Sequence, residues 1–192
     1  MSVKKKVVLL LSWGIDSTTL LYEYYKNYDI TGLFIDYGQT NHKEIESVEY
    51  HCEKLGIEYY VHKIDMGSLG CESSLVWGVI DSPTVHNRNM MFIAAALAFA
   101  RNNNKDIVMI WSHLGSPDTD NSVEFIGRMD LVGKISVWIE VQAPYIYITK
   151  NEIIRKAQKL LDLNETRSCY EWWAGPCGKC KACKARLLAL KE

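Results

Sequence analysis

The sequence predicts an α/β protein: a doubly wound parallel sheet followed by a small cysteine-bearing segment. Three observations carry this. Short apolar or alternating runs recur at Val7–Leu11, Ile30–Ile35, Glu58–Ile64 and Asp106–Trp111, and stretches of helical period separate them. Strands alternating with helices at that spacing wind a parallel sheet covered on both faces. Second, Val7-Val8-Leu9-Leu10-Leu11 is apolar throughout and runs into a polar turn that opens a helix from Thr18 to Tyr25; a short apolar run bounded by a turn is how a strand buried on both faces reads. Third, 192 residues at 48% hydrophobic content suffice for one well-cored domain and an appendage. The expected division is 1–165 for the α/β domain and 166–192 for the tail.

The remaining elements follow in order. Ile30 to Gln39 reads as a second buried strand ending in a polar cluster, Asp36-Tyr37-Gly38-Gln39. His42 to Leu55 places Ile45, Val48, Cys52 and Leu55 at helical spacing and stops at Gly56. Glu58 to Ile64 is a third strand, apolar at alternate places. Met66 to Thr84 carries Gly, Ser and Pro with little period and reads as a loop or lid. Asn89 to Arg101 is apolar nearly all round, which predicts a buried helix. Asp106 to Trp111 is a fourth strand with the turn-rich loop Ser112 to Asp120 at its end. Glu124 to Val132 is helical and Glu140 to Ile146 is a short strand. Thr149-Lys150-Asn151-Glu152 has the form of a capped N-terminus with a helix running to about Leu161.

A formal net charge of −1 argues against an extensive nucleic-acid surface. The apolar run after Lys4-Lys5-Lys6 ends after five residues with no small-residue cleavage site, and no segment approaches the ~20 apolar residues of a membrane span. The expectation is a cytoplasmic protein without membrane attachment, in which six cysteines argue for metal or catalysis before disulfides.

Two stretches carry chemistry. At Ser12–Thr19 a strand, a tight loop and a helix N-terminus converge, so that unpaired N–H groups and the positive end of the helix dipole face one point. Ser12, Ser17, Thr18 and Thr19 add hydroxyls. An ordinary turn capped by Asp16 or Ser17 has the same outline. Cys169, Cys177, Cys180 and Cys183 form a Cys-x7-Cys-x2-Cys-x2-Cys pattern among Gly and Pro turns. Four thiolates suit a closed tetrahedral Zn²⁺ site, which would be structural. Lys179, Lys181 and Lys184 would offset their charge; a redox pair or unlinked thiols are the alternatives. Cys52 lies on an apolar helix face and reads as core, and Cys71 as an incidental loop cysteine.

Ser12-Trp13-Gly14-Ile15-Asp16-Ser17 resembles the Ser-Gly-Gly-x-Asp-Ser loop of the ATP-pyrophosphatase (PP-loop) superfamily, whose adenine nucleotide α-hydrolase-like fold matches the predicted one. Trp13 stands where that loop has its first glycine. Ile35-Asp36-Tyr37-Gly38-Gln39, Arg88-Asn89, Val123-Glu124-Phe125-Ile126, Ala143-Pro144, Thr149-Lys150-x-Glu152-Ile153 and Ser168-Cys169-Tyr170 through Cys183 together resemble the 7-cyano-7-deazaguanine synthase family along nearly the whole chain. That resemblance implies adenylation of 7-carboxy-7-deazaguanine by ATP and Mg²⁺, then attack by ammonia to give the amide and nitrile. It also implies a zinc site at the four cysteines and a homodimer. By the same resemblance Leu10, Ser12, Trp13, Gly14, Asp16, Ser17, Thr18, Asp36 and Gln39 would hold ATP. Asp16, Ser17, Arg88 and Lys150 would be catalytic, with Arg88 and Lys150 on phosphate. Arg88, Asn89, His113 and Asp120 would meet the deazaguanine, with Asp120 accepting from its N–H groups.

The chain departs from the family pattern at Val85-His86-Asn87 before Arg88, at Asp118 to Ser122, and at Thr40-Asn41 before His42. These changes cluster around the base and the acceptor. Three readings follow: a nitrile synthase; a paralogue, for example in antiphage defence, that delivers the activated deazaguanine to a protein amine; and a nucleotide-binding subunit in which Trp13 has ended turnover.

Overall fold

A computed structural model describes residues 3–12, 14–39, 44–69, 73, 76, 85–116, 118–166, 169, 177–180, 183, 184, 186 and 187. Five parallel strands form its sheet: β1 (Lys6–Leu11), β2 (Asp29–Asp36), β3 (Tyr59–Lys63), β4 (Ile107–Met109) and β5 (Glu140–Gln142), in the order β3-β2-β1-β4-β5. The helices are α1 (Ile15–Tyr24), α2 (Glu44–Leu55), α3 (Arg88–Asn102), α4 (Val123–Val137) and α5 (Lys150–Leu160). Val7 pairs with Ile30 on one side and Ile107 on the other, which makes β1 the central strand.

Alternation explains why β1 is apolar throughout. Val8 and Leu10 point into a core roofed by α3 and α4, where Ile93, Leu97, Ile126 and Met129 meet them. Val7, Leu9 and Leu11 point to the opposite face, against Leu20 and Leu21 of α1, Val48 of α2 and Ile153 of α5. A parallel strand buried on both faces cannot alternate with polar residues. The expected doubly wound sheet is therefore the one observed.

Two elements differ from the sequence reading. β3 lies at the sheet edge, so Tyr60 and Val61 are exposed rather than alternately buried; Lys63 and its neighbours present the polar margin that keeps an edge strand from pairing outward. α3 buries one face only, with Phe92, Ile93, Ala96, Leu97 and Ala100 inward and Met90, Ala94 and Ala98 outward. Alanine supplies little apolar area, so it does not force burial as a run of leucines would.

Gly133 is where α4 meets the turn into β5. A Cβ there would lie 2.5 Å from the carbonyl oxygen of Ile139 and 3.0 Å from Leu97 Cδ2. Replacing a helical glycine by alanine ordinarily gains up to ~1 kcal/mol. Here the obstacle is backbone, and overpacking costs about 1–3 kcal/mol. Gly133→Ala should therefore lower the free energy of unfolding by a net of ~1–2 kcal/mol, read as a lower urea midpoint at unchanged m-value, against the propensity trend.

The tail's approach to the domain is visible at a few described residues. Arg186 donates to the carbonyl and hydroxyl of Thr166 and to the carbonyl of Leu163. The turn Leu163–Glu165 is itself pinned to α2, because Lys54 Nζ lies 2.8 Å from Glu165 and His51 Nε2 lies 3.1 Å from the Glu165 carbonyl oxygen.

Candidate functional site

Strand order reverses between β1 and β4, and the loops leaving the carboxyl ends of those strands part there to form a crevice. Ser12 and Gly14 follow β1 into it. The Ser17 hydroxyl donates to the Ser12 carbonyl at 2.9 Å and accepts from the Ser12 N–H at 3.1 Å, while the Gly14 N–H donates to Ser12 Oγ at 3.2 Å. Thr18 Oγ1 donates to the Gly14 carbonyl at 3.0 Å. Ser17 and Thr18 are buried, so their hydroxyls bind the loop to the first turn of α1. Gly14 is the N-cap in extended backbone, with no side-chain cap among the described residues. The opening amides of α1 are thus left to an outside acceptor. Glycine serves space at this position, since a Cβ would come within 3.3 Å of Ser12 Oγ. Trp13 lies outside the described residues. The side chain of Leu10 is in the core, leaving only its backbone near the crevice.

Asp16 in the first turn of α1 meets Lys150, the first residue of α5. Lys150 Nζ sits 2.5 and 2.6 Å from the two carboxylate oxygens. The two positions are 134 residues apart. Local devices aim Lys150: Thr149 caps α5 in a capping box with Glu152, and Thr149 pairs with Leu114 beyond β4. A carboxylate and an ammonium at the same helix mouth form a pair that an incoming phosphate and its metal could part.

The opposite wall is a network from four segments. Gly38, at φ +79, turns the chain after β2, and its N–H donates to Asp36 Oδ1. Gln39 accepts from the Tyr37 N–H at 2.8 Å and donates to Glu44 at 3.4 Å. The Arg88 guanidinium lies over the rings of Tyr37 at 5.7 Å and Phe92 at 6.0 Å. Burial works against its charge, but Tyr37, Asp120 and Glu44 outweigh that and hold it firmly protonated. Its Nε is buried without a hydrogen-bond partner among the described residues. Asp120 accepts from the Asn89 N–H at 3.0 Å, closing the N-terminus of α3 from outside the helix, and Asn89 Nδ2 donates to Asn121 Oδ1 at 3.0 Å. Asn121 also accepts from the buried Ser112 hydroxyl at 2.8 Å. His113 stands apart on the loop after β4, its Nδ1 2.9 Å from the Leu114 carbonyl. His42, Thr40 and Asn41 lie outside the described residues.

Glu44 escaped the sequence reading, although it opens α2 two residues after His42 and faces the same wall. Burial raises its carboxyl from 4.5 to about 7; Arg88 and Gln39 oppose the rise and Asp36 adds to it. The folded chain then holds a proton between pH 4.5 and 7 that the unfolded chain releases, so this group's contribution to stability falls as pH rises through that window. Glu44→Gln should be about as stable as the parent near pH 5 and more stable at pH 8, by ~1–2 kcal/mol, in paired denaturant titrations.

The four cysteines of the tail converge as their spacing predicts. Their sulfurs lie within 4.8 Å of one another, with Cys169 and Cys183 buried. N–H groups of Lys179 and Cys180 point at Cys177 Sγ at 3.4 Å, and that of Cys183 points at Cys180 Sγ at 3.4 Å. The N–H groups of Cys180 and Lys179 draw the Cys177 thiol down to about 7. A tetrahedron of Zn–S bonds near 2.3 Å sets its sulfurs ~3.8 Å apart, and a single ion fits this cluster. Cys52 is core, with its thiol pushed up to about 12 by burial; Cys71 lies outside the described residues.

A sequence model of the family described as Queuosine biosynthesis protein QueC matches residues 6–192. The chain belongs to the QueC family. It is 32% identical over 205 residues to the 7-cyano-7-deazaguanine synthase of Methanoregula boonei, covering 97% of this chain and 94% of that one. The synthase of a Marinomonas species is 33% identical over 211 residues, covering 99% and 95%. Among solved structures, the U34-tRNA thiolase NcsA of Methanococcus maripaludis with its [4Fe-4S] cluster aligns with a TM-score of 0.58 at 15% identity, over 99% of this chain and 66% of that one. NMN synthetase of Francisella tularensis gives 0.57 at 15%, over 91% and 71%. These two likenesses speak to the fold, and they agree with the PP-loop class expected from the sequence. Among the described residues no helix is long and apolar enough to cross a membrane.

QueC membership places the whole crevice within the matched span. Of the residues singled out by sequence, Ser12, Gly14, Asp16, Ser17, Thr18 and Lys150 gather on one side, and Asp36, Gln39, Arg88, Asn89 and Asp120 on the other. Asn121 and Ser112 join the second group with no signal in the sequence, since hydrogen bonds reaching 32 residues along the chain define their part.

Proposed function

We propose that this chain is an ATP-dependent carbon–nitrogen ligase acting on 7-carboxy-7-deazaguanine in the cytoplasm. The observation that carries the reading is the family match across residues 6–192. The substrate carboxylate attacks the α-phosphorus of ATP, the bond to the β-phosphate oxygen breaks, and pyrophosphate leaves. Ammonia attacks the acyl carbon, AMP departs with the bonding pair, and a proton is released, giving the amide. In a second round the amide oxygen attacks the α-phosphorus of another ATP, pyrophosphate leaves, and loss of AMP and of both amide protons gives the nitrile.

The chain supplies position and charge rather than acid–base chemistry. Gly14 and the opening amides of α1 receive the pyrophosphate, Ser12 flanks it, and Ser17 and Thr18 hold the loop in shape. Lys150 leaves Asp16 for phosphate oxygens, and Asp16 is the carboxylate at hand for the magnesium that accompanies ATP and spreads its charge. Asp36 and Gln39 flank the adenosine. Arg88, desolvated on two rings, steadies the developing negative charge, and Asn89, Asp120 and His113 border the base. Zinc at Cys169, Cys177, Cys180 and Cys183 is structural, binding 166–192 as a separate unit. The working form is a homodimer.

A second reading has an observation of its own. Asn89, a family-matching residue that follows the departure at 85–87, is hydrogen-bonded to Asp120 and Asn121 inside the departure at 118–122. One remodelled wall fits a changed acceptor, such as a protein amine, with the activation half intact. Purified protein given ATP, Mg²⁺ and 7-carboxy-7-deazaguanine, with and without ammonia, separates the readings. AMP together with amide or nitrile by mass spectrometry supports the first. AMP without either, and a mass added to a protein encoded nearby, supports the second. No AMP under any condition leaves a nucleotide-binding subunit and overturns the ligase.

A further inference from the structure

Ser47 Oγ on α2, and Arg88 Nε and Asn89 Oδ1 at the start of α3, are buried without a hydrogen-bond partner among the described residues. Asn89 is only 2% exposed; its amide nitrogen is bonded to Asp120 and Asn121, while its oxygen receives nothing. Ser47 lies three residues beyond Glu44, on the same side of α2. Folded chains satisfy nearly all their buried polar groups. Orphaned donors and acceptors beside a crevice are therefore places for a polar molecule from outside.

Glu44 stands among these atoms. Its one hydrogen bond among the described residues is a long one, accepted from Gln39 Nε2 at 3.4 Å, and no cation touches it there. A desolvated carboxylate is ordinarily held by close donors or a contact ion pair. Nor is Glu44 sealed, since part of its surface and part of Arg88 stay open. A carboxylate that is desolvated, loosely bonded and still reachable is placed to exchange a proton rather than to hold the fold. Its charge is also carried at a cost, because the stability above neutral pH is expected to rise on replacement by glutamine. In the reaction proposed above Arg88 meets the developing charge and Asn89 the base. The carbon under attack then lies beside the α3 N-terminus, which Glu44 faces from α2.

We infer that Glu44 is the catalytic base of the amide-forming step, taking the proton that the attacking nitrogen must lose. It rests on the ligase reading and adds one acid–base group to a mechanism otherwise built on position and charge. When ammonia adds to the acyl carbon of the adenylate, a C–N bond forms and the nitrogen carries three hydrogens and a positive charge. One N–H bond then breaks, its electron pair stays on nitrogen, and the proton passes to the Glu44 carboxylate. The adduct collapses, AMP leaves with the C–O bonding pair, and Glu44 returns its proton to water before the next turnover. The groups around Glu44 set when it can act. Burial and Asp36 of β2 favour the acid, and Arg88 of α3 and Gln39 favour the carboxylate. Tyr37 and Asp120 act on Arg88 in turn. On α2 itself Glu46 is exposed and Glu49 is engaged by Tyr59. The balance falls at about 7, where a base works best at neutral pH.

The full chain and its Glu44→Gln and Glu44→Asp variants, given ATP, Mg²⁺ and 7-carboxy-7-deazaguanine, test it. Exchange of labelled pyrophosphate into ATP reports adenylation alone. Amide formed from ammonia reports the whole step. Hydroxamate formed from hydroxylamine reports the same attack by a nucleophile so weakly basic that its adduct sheds a proton to water unaided. Glu44→Gln should lower amide formation from ammonia by about 10²–10⁴-fold. Its exchange and hydroxamate formation should stay within about threefold of the parent. Glu44→Asp should recover part of the amide rate. At a fixed concentration of unprotonated ammonia the parent's amide rate should fall as pH drops through about 7, and Glu44→Gln should lack that limb. Equal losses in all three readouts, or a parental amide rate in Glu44→Gln, overturn the base and leave adenylation standing. So does a parent that exchanges pyrophosphate yet forms no amide from ammonia. A parent that exchanges no pyrophosphate overturns the ligase, and the base with it.

Discussion

Lys150→Met should lower kcat/KM for AMP formation by about 10²–10³-fold while costing only ~1 kcal/mol of stability. The contrast follows from where the ammonium sits. In the free protein it is 2.5 and 2.6 Å from the oxygens of Asp16, both groups partly open to water, and screened pairs of this kind contribute little to folding. In the proposed reaction the same ammonium would face a phosphate that gains charge in the transition state. A cation there is worth several kcal/mol of barrier. Asp16→Asn separates the two roles. It frees Lys150 but removes the carboxylate from the metal, so it should raise the magnesium requirement and leave the melting temperature within a few degrees. Steady-state AMP release at varied ATP and Mg²⁺, alongside melting curves, reads both. If Lys150→Met lowers activity no more than its stability loss can explain, the pair is only a tie between α1 and α5.

The parts of this site that the sequence discloses are those whose cause is local. Val7 to Thr19 is a strand, a turn and a helix start within thirteen residues, and Thr149 with Glu152 is a capping box in four. The cysteine spacing is tight enough that turn geometry alone brings Cys177, Cys180 and Cys183 together. What the sequence withheld depends on tertiary approach. Nothing near Asp16 announces Lys150 as its partner. Nothing near Ser112 or Asn121 announces that they buttress Asn89. Nothing near Glu44 announces its burial, which comes from contacts such as Arg88 of α3 and Gln39 of the loop after β2. The differences at β3 and α3 have the same origin: apolar pattern reports what a residue can bury, and the sheet's edge or the layer's outer face decides what it does bury.

Stripping the metal from the tail should be the most damaging change short of the core. One zinc per chain is expected by elemental analysis, and Cys183→Ser or a strong chelator should abolish it, lower the melting temperature by 10 °C or more, and open residues beyond 166 to protease. Structural zinc contributes on the order of 10 kcal/mol in small peptides because the ligands find one another only through the ion. Here part of that organisation is prepaid by N–H groups aimed at Cys177 and Cys180, so the loss falls below the peptide figure, yet at ~2–4 °C per kcal/mol it remains large. The same distances favour one ion over a cluster, and zinc is the ion proposed. Four sulfurs within 4.8 Å of one another close around a single tetrahedral ion, whereas an iron–sulfur cube binds each cysteine to a different iron and holds the sulfurs farther apart. The purified protein should therefore be colourless, without charge-transfer absorption, and cobalt substitution should give the visible bands of a tetrahedral thiolate site. The damage also has a route inward. Arg186 bonds Thr166 and Leu163, and Glu165 between them is held by Lys54 and Tyr50 of α2, so loosening the tail frees the helix that opens at Glu44. Zinc loss should consequently raise KM for the deazaguanine more than for ATP, whose amides and lysine lie on α1 and α5.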